Sequence, residues 1–599
     1  MEKENNKANN KITKIYKSIF YSIKYIWKID KIYIMLLIVS SFLTSATNIF
    51  NVYILKYLTD IVVTQNKTLF PIVLFIMIVV SISINLINTI TGNCIYPILT
   101  SRINKKIQKD IYIKSQDYNI NHFNDNNFYN MYYFVLQNSR STIISTTNMI
   151  GTILTNFISI GGIVVIVSKY DYYSLLIVLI GVIISSLFSI KLQKNRYDYN
   201  LETVEPTRKI NYIDRIFYLN TYLKEVRTYK ETQIIWSNYS NSWKDYIDVT
   251  KKWRRKISVL EFSENTTNSI TYFAVLSYLA CLAIFNYISI SAFMVLFNGA
   301  QQLIYQIKSI ISIIPSIYSK VINMNKYFEF MEIKKIDDKK DDFKSNITNI
   351  ELENISFSYS NSFSLQDINL KLGNNIKKVA IVGKNGSGKS TLVNLLMGFY
   401  KPNSGTIKIN GIDLQNYSIE SYLKHISVVY QDFQLFSFTI AQNIMMKYEI
   451  NESDEKVINY ALKLVRLYDK VTDLKYGMHT CISKEFDSNG IVLSGGELQK
   501  LALARAYVRG GDIFIMDEPF SSFDAISENI VTNTINEIIK DKISIIVSHS
   551  LINLCNMDLI VVLDNGKIVE LGKQDELLKN KGIYSKMYNA QIEKFNKYW

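Results

Sequence analysis

Cysteine and proline are both scarce in this chain of 599 residues. The four cysteines, Cys94, Cys281, Cys481 and Cys555, lie far apart. None has the short spacing of a metal site, and so few over such a length cannot frame a disulfide-held fold. Buried, inert thiols are the expected state of most of them. The shortage of proline accompanies an abundance of Asn, Ile, Lys and Tyr and is read as compositional bias. A secretory cleavage site is missing too: the apolar run from Ile32 has no small-residue motif behind it, which argues against a removable signal peptide. Acidic residues are outnumbered, leaving a formal net charge of +15. That surplus invites a nucleic-acid reading until the basic residues are located.

A chain of this length exceeds one hydrophobic core, so two or more domains are expected. Mean hydropathy is +0.06 although 20% of the residues are charged, a combination that predicts membrane segments joined to a soluble domain. The first 32 residues carry Lys3, Lys7, Lys11, Lys14, Lys17, Lys24, Lys28 and Lys31, with Ile12, Ile15, Ile19, Ile23 and Ile26 at helical spacing among them. This predicts a basic amphipathic helix lying on the cytoplasmic leaflet. Six apolar stretches of spanning length follow, near Tyr33–Leu55, Leu69–Ile95, Ile143–Val167, Tyr173–Ile190, Asn268–Ile288 and Ala292–Ile317. Their connections alternate short and long. The long ones, Tyr96–Thr142 and Lys191–Thr267, are polar and helix-compatible. Together with the N-terminal segment they hold about 29 Lys and Arg, against about three in the short loops. The positive-inside rule therefore puts the N-terminus and the long connections in the cytoplasm. Topology thus explains most of the basic surplus, and no nucleic-acid partner is expected.

Asn85, Asn88, Asn148, Asn156, Asn298, Gln301, Gln302 and Gln306 are polar within these stretches. Each either lines a polar path or bonds helices together. Lys308 is read as snorkelling to the interface. Residues 321–348 are charged and read as a linker. The organisation expected is an interfacial helix in 1–32, a transmembrane domain in 33–320, that linker, and one soluble domain in 349–599.

The soluble part contains Gly383-Lys384-Asn385-Gly386-Ser387-Gly388-Lys389-Ser390-Thr391. Apolar Val379-Ala380-Ile381-Val382 before it predicts a buried parallel strand, and Leu392-Val393-Asn394-Leu395-Leu396 behind it a helix. A Gly-x4-Gly-Lys-Ser loop in that setting is a P-loop. Its glycines let the backbone turn and aim N–H groups at phosphate oxygens, and the helix N-terminus adds its dipole. Lys389 would reach the β- and γ-phosphates of ATP, and the Ser390 hydroxyl would bind Mg²⁺. Downstream, Ile513-Phe514-Ile515-Met516-Asp517-Glu518-Pro519 reads as a buried strand delivering two carboxylates to its C-terminal edge. Asp517 would hold Mg²⁺ in its outer shell, and Glu518 would position and activate the attacking water. Between the two motifs lies Leu493-Ser494-Gly495-Gly496-Glu497-Leu498-Gln499-Lys500. Ser494 is a good N-cap there and the glycines free backbone N–H groups, which makes a second phosphate-facing helix start.

With these motifs in one chain, the sequence resembles an ATP-binding cassette (ABC) exporter: six spans ahead of one cassette, with the Leu-Ser-Gly-Gly signature of that family. The resemblance implies a multidomain fold. A six-helix α-helical transmembrane domain is fused to an α/β P-loop nucleotide-binding domain with a helical signature subdomain. It also implies further roles. Tyr359, in Phe357-Ser358-Tyr359, matches the aromatic that stacks on adenine. Gln431, in Val429-Tyr430-Gln431-Asp432, matches the glutamine that senses Mg²⁺ and faces the membrane domain. Ser521-Ser522-Phe523-Asp524 matches the D-loop, with Phe523 where a smaller aliphatic residue is usual. His549, in Val547-Ser548-His549-Ser550, matches the switch histidine that contacts the γ-phosphate. His122, His425 and His479 are read as ordinary surface or loop residues. Glu497 stands where Gln is commoner. Cassettes of this family close head to tail around two ATP molecules, each held by one chain's P-loop and the other's signature. One cassette per chain therefore implies a dimer, and the intact Glu518 and signature favour a homodimer.

Ser483-Lys484-Glu485-Phe486-Asp487-Ser488-Asn489-Gly490 replaces the Glu-Arg-Gly loop usual in multidrug members. With Val382-Gly383-Lys384-Asn385-Gly386 and Ile546-Val547-Ser548-His549-Ser550-Leu551, this resembles bacterial lantibiotic and other antimicrobial-peptide exporters. It implies ATP-driven export of a peptide across the bacterial cytoplasmic membrane, with the N-terminus and cassette in the cytoplasm. A multidrug or lipid exporter would share every ATPase motif. An ATP-gated channel or regulator would use the cassette as a timer, and the complete motif set argues against it. Phe123–Tyr129 and Lys224–Tyr229 fall where exporters carry coupling helices. No peptidase fits before Lys31, so leader cleavage is expected to need another protein.

Overall fold

The computed structural model describes residues 17–118, 122–123, 125–229, 233–333, 341–360, 363–373, 375–520, 523 and 525–598. The chain divides into two compact units: Met1–Asp117 with Asp125–Ile333, and Tyr118–Asn124 with Lys334–Trp599.

The first unit is helical. Helix α1 (17–29) leads into α2 (Lys31–Val63) and α3 (Leu69–Thr89). A π-helical segment (Ile90–Ile95) joins α3 to α4 (Tyr96–Gln116). Then come α5 (Asn126–Ser168), α6 (Tyr173–Glu202), α7 (Val204–Tyr218), α8 (Asn220–Tyr229), α9 (Gln233–Ile284) and α10 (Ile290–Glu332). Hydrocarbon offers backbone groups no partner, so helices are the form such apolar runs take. Among the described residues, five helices are long and apolar enough to cross a membrane: α2, the continuous Leu69–Gln116, α5, α6 and α9. The sixth expected span falls in α10 and is not among the five; Asn298, Gln301, Gln302 and Gln306 interrupt its apolar run. Helix α10 nevertheless packs on α2, α5 and α6, around a core that includes Val52, Ile163, Val182, Leu279 and Leu296. Helices α6 and α9 approach closely at Gly181, where a Cβ would lie 2.0 Å from the Thr271 hydroxyl oxygen. Helix α3 is different: it buries none of its residues.

The polar residues of the spans divide. The Tyr33 hydroxyl donates to Asn148 Oδ1 at 2.6 Å, joining α2 to α5. Asn156 Nδ2 donates to Ser309 Oγ at 2.9 Å, joining α5 to α10. Asn298 Nδ2 donates to the Asn51 carbonyl at 3.3 Å, joining α10 to α2. These three bond helices together, whereas Asn85, Asn88 and Gln301 are exposed on the protomer. Lys308 does not simply snorkel. Its Nζ lies 3.1 Å from Oε1 of Glu264 on α9, and that carboxylate is buried. Glu264 falls in a stretch that reads as polar connection, but α9 is one helix through it.

Of the N-terminal basic helix, Lys3, Lys7, Lys11, Lys14, Ile12 and Ile15 lie outside the described residues. In α1 itself Ser18, Ser22 and Ile26 are buried while Phe20 and Trp27 are exposed. The Tyr25 hydroxyl donates to Asp110 Oδ2 at 2.7 Å, so α1 is anchored on α4. Of the two segments expected as coupling helices, Lys224–Tyr229 lies within α8. In the first, Asn124 is outside the described residues.

The second unit contains two sheets. The smaller is antiparallel, ordered β2-β1-β4-β5 from β1 (Asn349–Ser360), β2 (Phe363–Gly373), β4 (Ser404–Ile409) and β5 (Ile412–Asp413). The larger comprises β3 (Lys378–Gly383), β6 (Ile426–Val429), β7 (Ile513–Asp517), β8 (Ile543–Val547), β9 (Leu559–Asp564) and β10 (Lys567–Gly572), in the order β10-β9-β3-β8-β7-β6. All its pairings are parallel except β10 with β9. Val379 and Ile381 enter one apolar cluster, and Ala380 and Val382 the other. A strand buried on both faces reads as one continuous apolar run, as β3 does. The register sets Ile381 opposite Val547 and Asp517 opposite Val547. The C-terminal ends of β3, β8 and β7 are therefore adjacent on one edge.

Removing one member of the Lys308–Glu264 pair strands a buried charge. Lys308→Met should destabilise the detergent-purified protein by up to about 3 kcal/mol, the low end for such pairs because Lys308 is partly exposed. The double variant with Glu264→Leu should recover much of that loss in a thermal melt. Equal losses in the single and double variants would show that the two charges are not coupled.

Candidate active site

Strand β3 runs into the loop 383–388, and α11 (Lys389–Leu396) begins directly behind it. Gly383, Gly386 and Gly388 have φ of 154°, 79° and 104°. At Gly383 space also demands glycine, since a Cβ would lie 2.2 Å from the Leu563 carbonyl oxygen. Turned in this way, the loop exposes Lys384, Asn385 and Gly386 and buries Ser387 and Lys389. Lys389 Nζ donates to the carbonyl oxygens of Gly383 and Lys384, each at 3.0 Å. Burial pushes its pKa below the usual lysine value, against the attraction of Glu518 and Asp517. Ser387 Oγ is shielded from solvent without a hydrogen-bond partner. An enclosed hydroxyl, a half-dehydrated ammonium and a helix N-terminus beside a hollow that no Cβ fills are groups that phosphate oxygens satisfy. Ser390 is exposed and Thr391 half-buried in the first turn of α11.

Strand β7 ends at Asp517, and Glu518 follows with φ of 50°. That left-handed backbone is pinned by the Glu518 N–H donating to the Val547 carbonyl at 2.9 Å. The two carboxylate oxygens are shared out. Oε1 lies 3.1 Å from His549 Nε2, and Oε2 accepts from Gln431 Nε2 at 3.0 Å. The Ser390 hydroxyl donates to Asp517 Oδ2 at 3.5 Å. Burial first, and the Glu518 charge second, raise the Asp517 pKa above the usual aspartate value. Ser390, Asp517 and Gln431 can all offer oxygen donors, a set that fits the hard Mg²⁺ ion.

The edge of one sheet thus gathers Lys389, Ser390, Gln431, Asp517, Glu518 and His549 from four stretches of chain. Tyr359 belongs to the smaller sheet. Its ring is 51% exposed and is held edge-on by Tyr400 and Phe357, with centroids 4.9 and 5.0 Å away. Asp524, with Ser521 and Ser522, lies outside the described residues. Phe523 packs against the apolar core, which accounts for its bulk.

Ser494 is the N-cap of α12 (Gly495–Arg509). Its hydroxyl accepts from the Glu497 N–H at 3.4 Å, and its own N–H donates to Glu497 Oε2 at 2.9 Å. The other Glu497 oxygen meets Lys470. That contact foremost holds the Glu497 pKa below the usual range, so this carboxylate is occupied in shaping the helix start. Gly495 opens onto free space. Arg505 belongs to no motif, yet its guanidinium donates to the carbonyls of Asn443 at 2.7 Å and Gln434 at 3.0 Å. It ties the signature helix to the segment that follows Gln431. The available signal was its charge within Leu501-Ala502-Leu503-Ala504-Arg505-Ala506. His425 pairs with Asp512 at 2.8 Å, away from these groups.

Residues 365–521 match the family model described as ABC transporter. The likeness extends far beyond that core. Over 594 residues the chain is 28% identical to the subtilin transport ATP-binding protein SpaT of Bacillus subtilis, covering 96% of this chain and 94% of that protein. Residues 365–521 are thus the cassette of an ABC transporter, and along nearly its whole length the chain is similar to ABC exporters. It is a multi-pass membrane protein that binds ATP, and its ATPase is coupled to transport. A second relative is the ATP-dependent lipid A-core flippase of Francisella tularensis, 25% identical over 617 residues, with 98% of this chain and 96% of that protein covered. In fold it matches a bacterial Atm1-family ABC exporter solved with ATP bound, with a TM-score of 0.76 at 19% identity over 93% of this chain and 97% of that one.

The raised Asp517 pKa has a sign that can be tested. A carboxyl that is harder to ionise in the folded state opposes folding wherever it is charged. That penalty fades as pH falls through the raised value towards the ordinary one. Asp517→Asn should therefore raise the melting temperature of the nucleotide-free exporter at neutral pH, with the gain vanishing near pH ~4. An unchanged melting temperature at neutral pH would mean that Ser390 and Lys389 already offset the burial.

Proposed function

We propose that two copies of this chain form an exporter that moves a peptide out of the cytoplasm across a bacterial cytoplasmic membrane. The observation that carries the cargo assignment is the similarity to the subtilin transport protein. It runs through the spans as well as the ATPase, at higher identity than the flippase match of similar extent. Exposed Asn85, Asn88 and Gln301 support a path suited to amides.

Each ATP lies between one copy's P-loop and the other's signature. Tyr359 stacks on adenine. The N–H groups of residues 383–391 and the start of α11 hold the phosphates, with Lys389 turning from its carbonyl partners to the β- and γ-oxygens. Ser390, Asp517 and Gln431 would hold Mg²⁺, which would supply charge neutralisation for the phosphates. Ser494, Gly495 and Gly496 of the second copy close over the γ-phosphate, with Glu497 shaping their helix start. Glu518 takes the proton of the attacking water, while His549 and Gln431 fix its two oxygens. His549 also contacts the γ-phosphate. ATP drives closure because the closed pair binds it better, the only way a ligand can drive a conformational change. Hydrolysis resets the pair.

Glu518→Gln should keep ATP binding and lose roughly 10²–10⁴ in turnover; near-normal hydrolysis would remove Glu518 from the mechanism. Ser494→Arg and Lys389→Ala chains, each inactive alone, should regain one working site when mixed. Failure to regain activity, with ATP occupancy confirmed at the intact site, would count against the shared site. For the cargo, inside-out vesicles should take up a subtilin-type peptide with ATP. Uptake of a lipophilic dye or flipping of lipid, with no peptide moved, would replace the peptide reading.

A further inference from the structure

Beyond the apolar part of its long helix, α4 and the first third of α5 border an open, shallow groove of about 600 Å³. Lys105, Lys109 and Arg140 line it, and no acidic side chain does. The acids of α4 and its C-cap are engaged elsewhere. Asp110 takes Lys106 at 2.8 Å and the Tyr25 hydroxyl at 2.7 Å, and Asp117 lies 3.7 Å from Lys114. Among the described residues no ion pair reaches Lys105, Lys109 or Arg140, and the contact of Arg140 with Gln108 Oε1 is a long 3.4 Å. Three unneutralised cations along a concave wall repel one another and focus a positive potential into the groove.

The rest of the lining narrows the ligand. Asn104 and Gln116 place amides on the same side as the cations, while the Gln108 amide is held between Tyr112 and Arg140, and Asn104 Oδ1 is shielded without a hydrogen-bond partner. The lining runs from Ser101 to Gln116, about 22 Å of helix at 1.5 Å per residue. Amides can pair with peptide N–H and C=O groups while the cations take carboxylates. A single phosphate headgroup would fill a fraction of that length, and Ile113 is the one aliphatic side chain present to meet an acyl chain.

We propose that this groove binds an extended acidic stretch of the transported peptide at the cytoplasmic face before transport. The proposal rests on the peptide-export reading above and adds where, and by what chemistry, the peptide first docks. Because the groove is remote in sequence from every ATPase motif, neutralising it should leave peptide-free ATP hydrolysis alone.

The test uses the full-length exporter in phosphatidylcholine nanodiscs, with a fluorescein-labelled Asp-rich peptide as probe and fluorescence anisotropy as readout. Wild type should bind the probe, increasingly weakly as salt is raised, and should ignore an Asn-rich peptide of equal length. Lys105→Gln/Lys109→Gln/Arg140→Gln should weaken binding at least tenfold, with the melting temperature and peptide-free ATPase rate unchanged. Lys105→Arg/Lys109→Arg should bind normally. In vesicle uptake of an acidic peptide the triple variant should show a raised KM with unchanged maximal rate. Undiminished probe binding by the triple variant overturns the groove assignment, and so does failure of wild type to bind. Displacement by inorganic phosphate or by phosphatidylglycerol discs at probe-equivalent concentration also overturns it, in favour of free phosphate or a headgroup respectively. Peptide uptake with normal KM by the triple variant would sink the groove while leaving peptide export standing. Transport of lipophilic dye alone by wild type would sink the export reading itself.

Discussion

The carboxylate of Glu518 is where three separate stretches of chain are made to agree. His549 reaches one oxygen from the end of β8, Gln431 reaches the other from beyond β6, and the Val547 carbonyl fixes the backbone beneath. None of these contacts survives a slip in strand register, because a one-residue shift turns each side chain to the opposite face. The parallel order β3-β8-β7-β6 is what keeps them in reach. The two apolar clusters that clamp this sheet therefore act on chemistry as well as stability. Arg505 extends the arrangement outward, since it fixes the chain after Gln431 to the helix that begins at the signature.

The membrane unit solves a different problem. Lipid gives apolar side chains no reason to prefer a neighbouring helix, so association there leans on close approach and polar bonds. Gly181 against Thr271 supplies the first, and the Tyr33–Asn148, Asn156–Ser309 and Asn298–Asn51 bonds supply the second. The Lys308–Glu264 pair joins α9 to α10 in the same manner at greater electrostatic stake. Helix α3, which buries none of its residues, takes no part in that scheme within one protomer.

Much of the cassette was legible in the sequence because its signals are local. A strand buried on both faces is a continuous apolar run, and a phosphate loop needs glycines at fixed intervals; β3, β7 and residues 383–391 show both. What stayed hidden depends on pairs brought together by tertiary structure. Glu264 and Lys308 stand on different helices, and no spacing rule joins them. Asn148 and Asn85 look alike as letters, yet one accepts from Tyr33 and the other faces outward. Glu497 matches a signature position, but its partner Lys470 lies on another element. Lys105, Lys109 and Arg140 are visible individually, while the lack of an acidic side chain in the groove they line is a property of three dimensions.

The left-handed backbone at Glu518 has a consequence for anyone who would improve this protein. Glycine or asparagine fits that conformation with less strain than glutamate, and both remove a negative charge from beside the buried Asp517. Random mutagenesis scored by yield or heat resistance would therefore collect changes at this position, and under the role proposed for Glu518 each would silence the pump. Strained, like-charged groups at a working site commonly trade durability for activity. A screen on this exporter thus has to read phosphate release alongside survival, or it will breed hardier molecules that transport nothing.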